Sequence, residues 1–248
     1  MAWIGALSVG LSLGLLGSGG SILTVPVLIF LVGETEKVAI AESLAIVGGI
    51  ALVGAVPFAI RKLVDWRSVA FFGVPGMAGA YLGALLSRYV SGGFQLGLFA
   101  LIMLVAAFFM FRPPAVPPSG ESLRRPPWKI GVDGLLVGVL TGFVGVGGGF
   151  LIVPALVLLG GLSMHLAVGT SLVIIALKSF AGFAKYLDVL AALGLAVDWP
   201  LIAMFVAIGA VGSFLGNWLG GRIPQQRLRE AFALFLVAMG IFVFYTSL

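Results

Sequence analysis

The chain has 248 residues, 61% of them hydrophobic and 9% charged, with 37 glycines and no cysteine. A soluble domain carries about 25% charged residues; 14 basic and 9 acidic side chains cannot coat a water-facing surface of this size. That excludes an ordinary soluble enzyme, a disordered chain and a disulfide scaffold, and puts the apolar surplus in lipid.

The net charge of +5 then reflects lysine and arginine collecting in cytoplasmic loops and implies no nucleic-acid partner. The first residues, MAWIGALSVGLSL, lack a basic n-region, so a cleaved signal peptide is not expected. Tract 1–33 is too long for a simple span: as one straight helix it would reach about 48 Å, against roughly 30 Å of hydrocarbon. Gly17, Gly19 and Gly20 interrupt it midway and Pro26 follows. A broken helix or a hairpin entering part-way is expected. Tracts 38–60, 68–87 and 94–111 have spanning length. Residues 112–129 hold six of the twelve prolines, with Arg112, Arg124 and Arg125; proline at this density prevents helix and makes a solvated linker. Tract 130–161 is again over-long, interrupted at Gly145, Gly147, Gly148 and Gly149, with Pro154 beyond. Tracts 164–185, 199–220 and 230–248 follow at spanning length.

The two halves resemble each other. At a shift of 128, Gly14, Gly17, Gly19, Gly20, Leu23, Val25, Pro26, Leu28, Leu31 and Gly33 fall on identical residues of 142–161. Ala39, Ser43 and Leu44 fall on Ala167, Ser171 and Leu172. At a shift of 133, Asp65-Trp66 falls on Asp198-Trp199, and Gly76, Gly79, Leu82 and Gly83 fall on Gly209, Gly212, Leu215 and Gly216. The expected fold is an all-α polytopic membrane protein of two four-segment repeats, each beginning with a broken or re-entrant helical hairpin. The first membrane repeat is 1–111, the Pro-rich cytoplasmic linker 112–129, and the second membrane repeat 130–248. If both long tracts are re-entrant the repeats are inverted. Arg61, Lys62, Arg67, the linker and the Arg222–Arg229 loop then share the cytoplasmic side, with Glu34 and Glu36 outside, as the positive-inside rule requires. Full crossings would make the repeats parallel and put Arg222, Arg227 and Arg229 outside, so inversion is favoured.

The glycine breaks are the leading candidate site. Glycine permits irregular backbone and close approach of a ligand, and a helix restarting after a break presents free N–H groups that suit an anion. Broken segments at matching positions in two repeats point to a transport site at the membrane midplane; taken singly, each would only mean tight helix packing. The candidate substrate-binding groups are Gly17, Gly19, Gly20, Ser21 and Ser43 in the first half, and Gly145, Gly147, Gly148, Gly149, Thr170, Ser171 and Lys178 in the second. The hydroxyls of Ser43 and Ser171 either face a ligand or back-bond within their own helices. Lys178, two turns from Ser171, is either a functional intramembrane cation or a lysine snorkelling to the interface from a tract that ends near Lys185. Glu42 offers proton coupling or is an interfacial carboxylate. His165 is expected at an interface. The small-xxx-small runs at 76–87 and 209–220 suit packing, with Asn217 as a polar exception. Walker, HExxH and nucleophile-elbow signatures are absent, so no enzyme activity, metal or cofactor is expected.

The two GxxGxGG…VP segments, Ser43 and Thr170-Ser171 downstream, and the paired Asp-Trp motifs resemble the sulfite exporter TauE/SafE family of membrane permeases across nearly the whole chain. The resemblance implies a secondary transporter in the bacterial cytoplasmic membrane. Its partners would be the bilayer and a small anionic substrate, sulfite or an organosulfonate; a homo-oligomer is compatible with the sequence. A passive anion channel on the same fold and a non-transporting membrane scaffold are the alternatives.

Overall fold

A computed structural model describes residues 2–17, 19–111, 126–144 and 149–246. These residues form helices and turns without strands. Helix α1 (Ala2–Leu16) precedes the first glycine break, and α2 (Gly19–Val27) restarts after it. A π-helical turn at Leu28–Val32 follows, two residues after Pro26. That proline lies inside α2, where it removes one helical hydrogen bond and crowds the preceding turn. The second half repeats the arrangement: Pro154 closes α8 (Gly149–Pro154) immediately before a π turn at Ala155–Leu159. Between them run α3 (Glu36–Ile60), short α4 (Trp66–Ser68), α5 (Val74–Leu86), α6 (Gly92–Phe111) and α7 (Pro127–Val144). A further π turn, Val69–Gly73, joins α4 to α5, so 66–89 is one continuous rod. Then come α9 (Met164–Ala192), α10 (Trp199–Gly220) and α11 (Gln225–Thr246).

Among the described residues, five helices are long and apolar enough to cross a membrane: Glu36–Ile60, Trp66–Tyr89, Gly92–Phe109, Met164–Ala192 and Trp199–Gly220. The chain is a multi-pass membrane protein. Large apolar side chains face outward at mid-helix, including Leu52, Leu101, Phe108 and Val211, as lipid-facing surface requires. Arginine stacks on neighbouring aromatics at both ends of the bundle, Arg88 on Tyr89 and Arg222 on Trp218, the amphipathic pairing expected at headgroup level.

Tract 1–33 is a hairpin. A Cβ on Gly5 would lie 2.6 Å from Val27 Cγ1, and Gly20 packs on Val9 and Leu13, so α2 runs back along α1 and both ends emerge together. In tract 130–161 the corresponding turn lies outside the described residues.

The tightest helix pairs are formed through glycine. Gly10 and Gly14 of α1 press on the backbone of Gly209 and Ser213 of α10. Gly138 and Gly142 of α7 press on Gly76 and Ala80 of α5. Both pairs advance four residues together, so each pair runs parallel. Helices α3 and α9 run antiparallel: Gly54 approaches Leu172, and Gly182 approaches Leu44. Between lipid-embedded helices no hydrophobic effect operates, and close backbone approach replaces it. Added atoms in such packed contacts cost about 1–3 kcal/mol. Gly10→Ala is therefore expected to lower the detergent melting temperature by several degrees. Gly97→Ala, in α6 with no neighbouring atom within 4 Å, is expected to leave it level or raised. Equal effects in a thermal-shift measurement would contradict this packing.

Candidate functional site

The first glycine break is built by a positive φ. Gly17 sits at φ +73° and its N–H donates to the Leu13 carbonyl at 2.8 Å, closing α1. The residue that covers the break comes from the other half of the chain. A Cβ on Gly17 would lie 2.8 Å from Val168 Cα and 2.8 Å from Ser171 Oγ. The Ser171 hydroxyl has two carbonyls in reach, Gly17 at 3.0 Å and Val168 at 2.8 Å. Its single proton serves both carbonyls or either one. Gly19 and Gly20 open α2, while Ser21 and Ser43 are buried beside them in sequence and in α3. The Ser43 hydroxyl donates to the Ile40 carbonyl at 2.8 Å, one turn back. Gly149 begins α8; Gly145, Gly147 and Gly148 lie outside the described residues.

Glu42 and Thr170 are brought to a different task. Glu42 Oε1 accepts from the Asp198 N–H at 2.7 Å, and Thr170 Oγ1 accepts from the Asp65 N–H at 2.8 Å. Asp65 and Asp198 are N-caps: Asp65 accepts from Ser68, and Asp198 from Leu201, satisfying donors that a helix start leaves open. The Asp-Trp motifs are thus helix starts, each held by a polar side chain from the opposite half. Glu42 Oε2 is buried without a hydrogen-bond partner among the described residues.

Lys178 does not snorkel. The helix continues past Lys185 to Ala192, so Lys178 stands at its middle, 1% exposed. Its Nζ has no hydrogen-bond partner among the described residues and lies 5.7 Å from the Phe72 ring centroid. Its aliphatic stem runs along Gly76, where a Cβ would meet Cδ at 3.0 Å. Two helical turns, about 10 Å, separate it from Ser171. The structure therefore joins Gly17 with Ser171, sends Glu42 and Thr170 to the caps, and leaves Lys178 two turns away against Phe72 and Gly76.

A buried polar cluster on the Glu36 side escapes sequence reasoning. Lys37 Nζ donates to the Ser87 carbonyl at 2.8 Å and to Gln95 Oε1 at 2.5 Å. Gln95 Nε2 donates to the Phe143 carbonyl and, at 3.0 Å, to Tyr186 Oη, which donates to the Phe143 carbonyl at 3.2 Å. The available signal was a single glutamine within an otherwise apolar tract.

Bundle and broken hairpin together define a polytopic α-helical membrane protein, and comparison with known proteins gives its family. The sulfite exporter TauE/SafE family matches residues 2–243, and the chain belongs to it. It is similar to a probable membrane transporter protein of Xylella fastidiosa (strain 9a5c), 34% identical over 96% of this chain and 92% of the relative. It is also similar to the probable membrane transporter protein YunE of Bacillus subtilis, 27% identical over 94% and 93%. No solved structure matches the chain significantly.

Left-handed φ costs a residue with a Cβ about 1–2 kcal/mol. Gly161, at φ +67° with open space around it, would incur only that cost on substitution. Gly17→Ala adds collision with Val168 and Ser171. Gly17→Ala is expected to lower the melting temperature clearly more than Gly161→Ala; equal losses would show that the break is not sealed by the opposite half.

Proposed function

We propose that the chain is a secondary transporter of a small sulfur-containing oxyanion, sulfite or an organosulfonate, in the bacterial cytoplasmic membrane, working by alternating access. We also propose that residues 1–111 and 130–248 are inverted repeats joined by a cytoplasmic linker. What supports inversion is register. The shift of 128 carries Gly10 to Gly138, and the shift of 133 carries Gly76 to Gly209. The α1–α10 contact and the α7–α5 contact are then one contact made twice, with partners exchanged. The antiparallel run of α3 against α9 is what a two-fold axis in the membrane plane produces.

The observation that carries the transport reading is the Gly17 break meeting Ser171 across the halves. Such a break offers the N–H groups of a restarting helix and a hydroxyl able to turn from carbonyl to anion. The same exchange of helices limits the motion. Each half's first helix is locked on the other's third segment, so the halves do not rock as separate blocks. The moving unit is a group of helices drawn from both.

Lys178, two turns from Ser171, would act on the substrate through its charge and not through contact with the break. The shift of 128 places it on Ile50, which lies along Gly209 as Lys178 lies along Gly76. Isoleucine fills that slot once, so lysine is not needed to fill it again, and a buried cation without a hydrogen-bond partner among the described residues is costly in lipid. Purified protein in sealed vesicles with labelled sulfite tests the whole reading. Saturable uptake is expected, inhibited by organosulfonates, and Lys178→Ile is expected to cut it at least tenfold while the melting temperature holds or rises. Flux without saturation for sulfite, sulfonates or thiosulfate would overturn the carrier; an unchanged rate and apparent affinity in Lys178→Ile would remove the lysine.

A further inference from the structure

On the face that carries Arg61 and Arg222, the ends of α1, α3 and α10 and the start of α9 leave a small, partly open cleft. Its polar lining is Arg61, His165 and Asn217, with Phe58 and Val168 as apolar walls. Val168 is also the residue against which Gly17 packs, so the cleft ends one side chain from the glycine break. Asn217 is 7% exposed, and its amide makes no side-chain hydrogen bond among the described residues. His165 Nε2 lies 3.4 Å from the Gly220 carbonyl. No carboxylate lines the cleft; the nearest in sequence, Asp65, is engaged at the α4 cap by Ser68. A guanidinium, an imidazole and an amide without an acid among them form a donor-rich surface that suits an oxyanion.

The opposite face holds the corresponding place with different contacts. Shifts of 128 and 133 carry Lys37 to His165 and Ser87 to Gly220. The Lys37–Ser87 hydrogen bond and the His165–Gly220 contact are therefore equivalent. Phe58 corresponds to Tyr186, Leu15 to Phe143 and Asn217 to Ala84. Where the Arg61 face has an opening, the Glu36 face has Gln95 tied to Lys37, Phe143 and Tyr186, with Gln95 and Tyr186 fully buried.

We propose that the Arg61–His165–Asn217 cleft is an oxyanion-binding vestibule, open in this structure, and that the Lys37–Gln95–Tyr186 cluster is the sealed form of its counterpart on the other face. The proposal rests on the transport reading and names where its substrate first docks. The donor set suits the oxygens of sulfite or a small sulfonate.

The chain has no cysteine, so a single one reports its surroundings. Asn217→Cys in sealed membranes is treated with size-matched anionic and cationic methanethiosulfonates, each rate divided by that of a free thiol. Reaction is expected only from the Arg61 face, at least fivefold faster for the anionic reagent, and slowed by isethionate. Adding Arg61→Gln is expected to remove the preference. Ala84→Cys is expected to be unreactive from both faces and to become reactive from the Glu36 face when Gln95→Ala is added. His165→Cys gives the same measurement if Asn217→Cys fails to fold. Equal normalised rates with no isethionate effect, or Ala84→Cys reacting as fast as Asn217→Cys, would overturn the proposal. Saturable sulfite flux alongside equal rates would discard the vestibule and keep the carrier; anion preference without flux would keep the vestibule and discard the carrier.

Discussion

Helices in lipid gain nothing by hiding apolar surface from an apolar solvent, and they associate through van der Waals contact and polar groups. Everything in this molecule depends on one solution to that constraint: backbone laid on backbone through glycine, α1 on α10 and α7 on α5. The contact needs no side-chain shape, only the absence of a Cβ every fourth residue. It also holds α1, which ends at the Gly17 break, against α10. The excess of glycine is thus a structural requirement before it is a functional one.

A second requirement follows from the first. Stopping a helix inside the membrane leaves N–H and C=O groups without partners, and the hydrocarbon provides none. At the Gly17 break the fold meets this with Ser171 from the opposite half, and Thr170 and Glu42 reach across in the same way to the starts of α4 and α10. Such groups are few, and all lie in the same two helices, α3 and α9. These helices are the frame on which the interrupted segments hang. Any motion that reopens a break must change the partner of one of these side chains, and Ser171, with two carbonyls for one proton, has such a choice already within reach.

Much of this was legible in the sequence because glycine patterns are local. The break at Gly17, the packing faces around Gly79 and Gly212, and the over-long first tract follow from residue spacing alone. The exchange of helices between halves was not legible, since a repeat shows which segments are alike and not which ones touch. Glu42 stood beside Ser43 as a candidate proton carrier, and its bond to the Asp198 N–H joins residues 156 positions apart. Lys178 was ambiguous because hydropathy ended its tract near Lys185, whereas the helix carries Asp188 and runs on to Ala192. The Lys37–Gln95–Tyr186 cluster draws on three tracts, and no spacing rule connects them.

Inverted topology is the claim on which the transport account turns, and labelling two exposed positions tests it most directly. Ser91 follows the 66–89 rod and Gln226 follows α10, and both are exposed. In cells expressing single-cysteine Ser91→Cys or Gln226→Cys protein, a membrane-impermeant maleimide is expected to label Ser91→Cys from outside. It is expected to reach Gln226→Cys only after the membrane is opened. Labelling of both from the same side would contradict inversion and the paired vestibules with it.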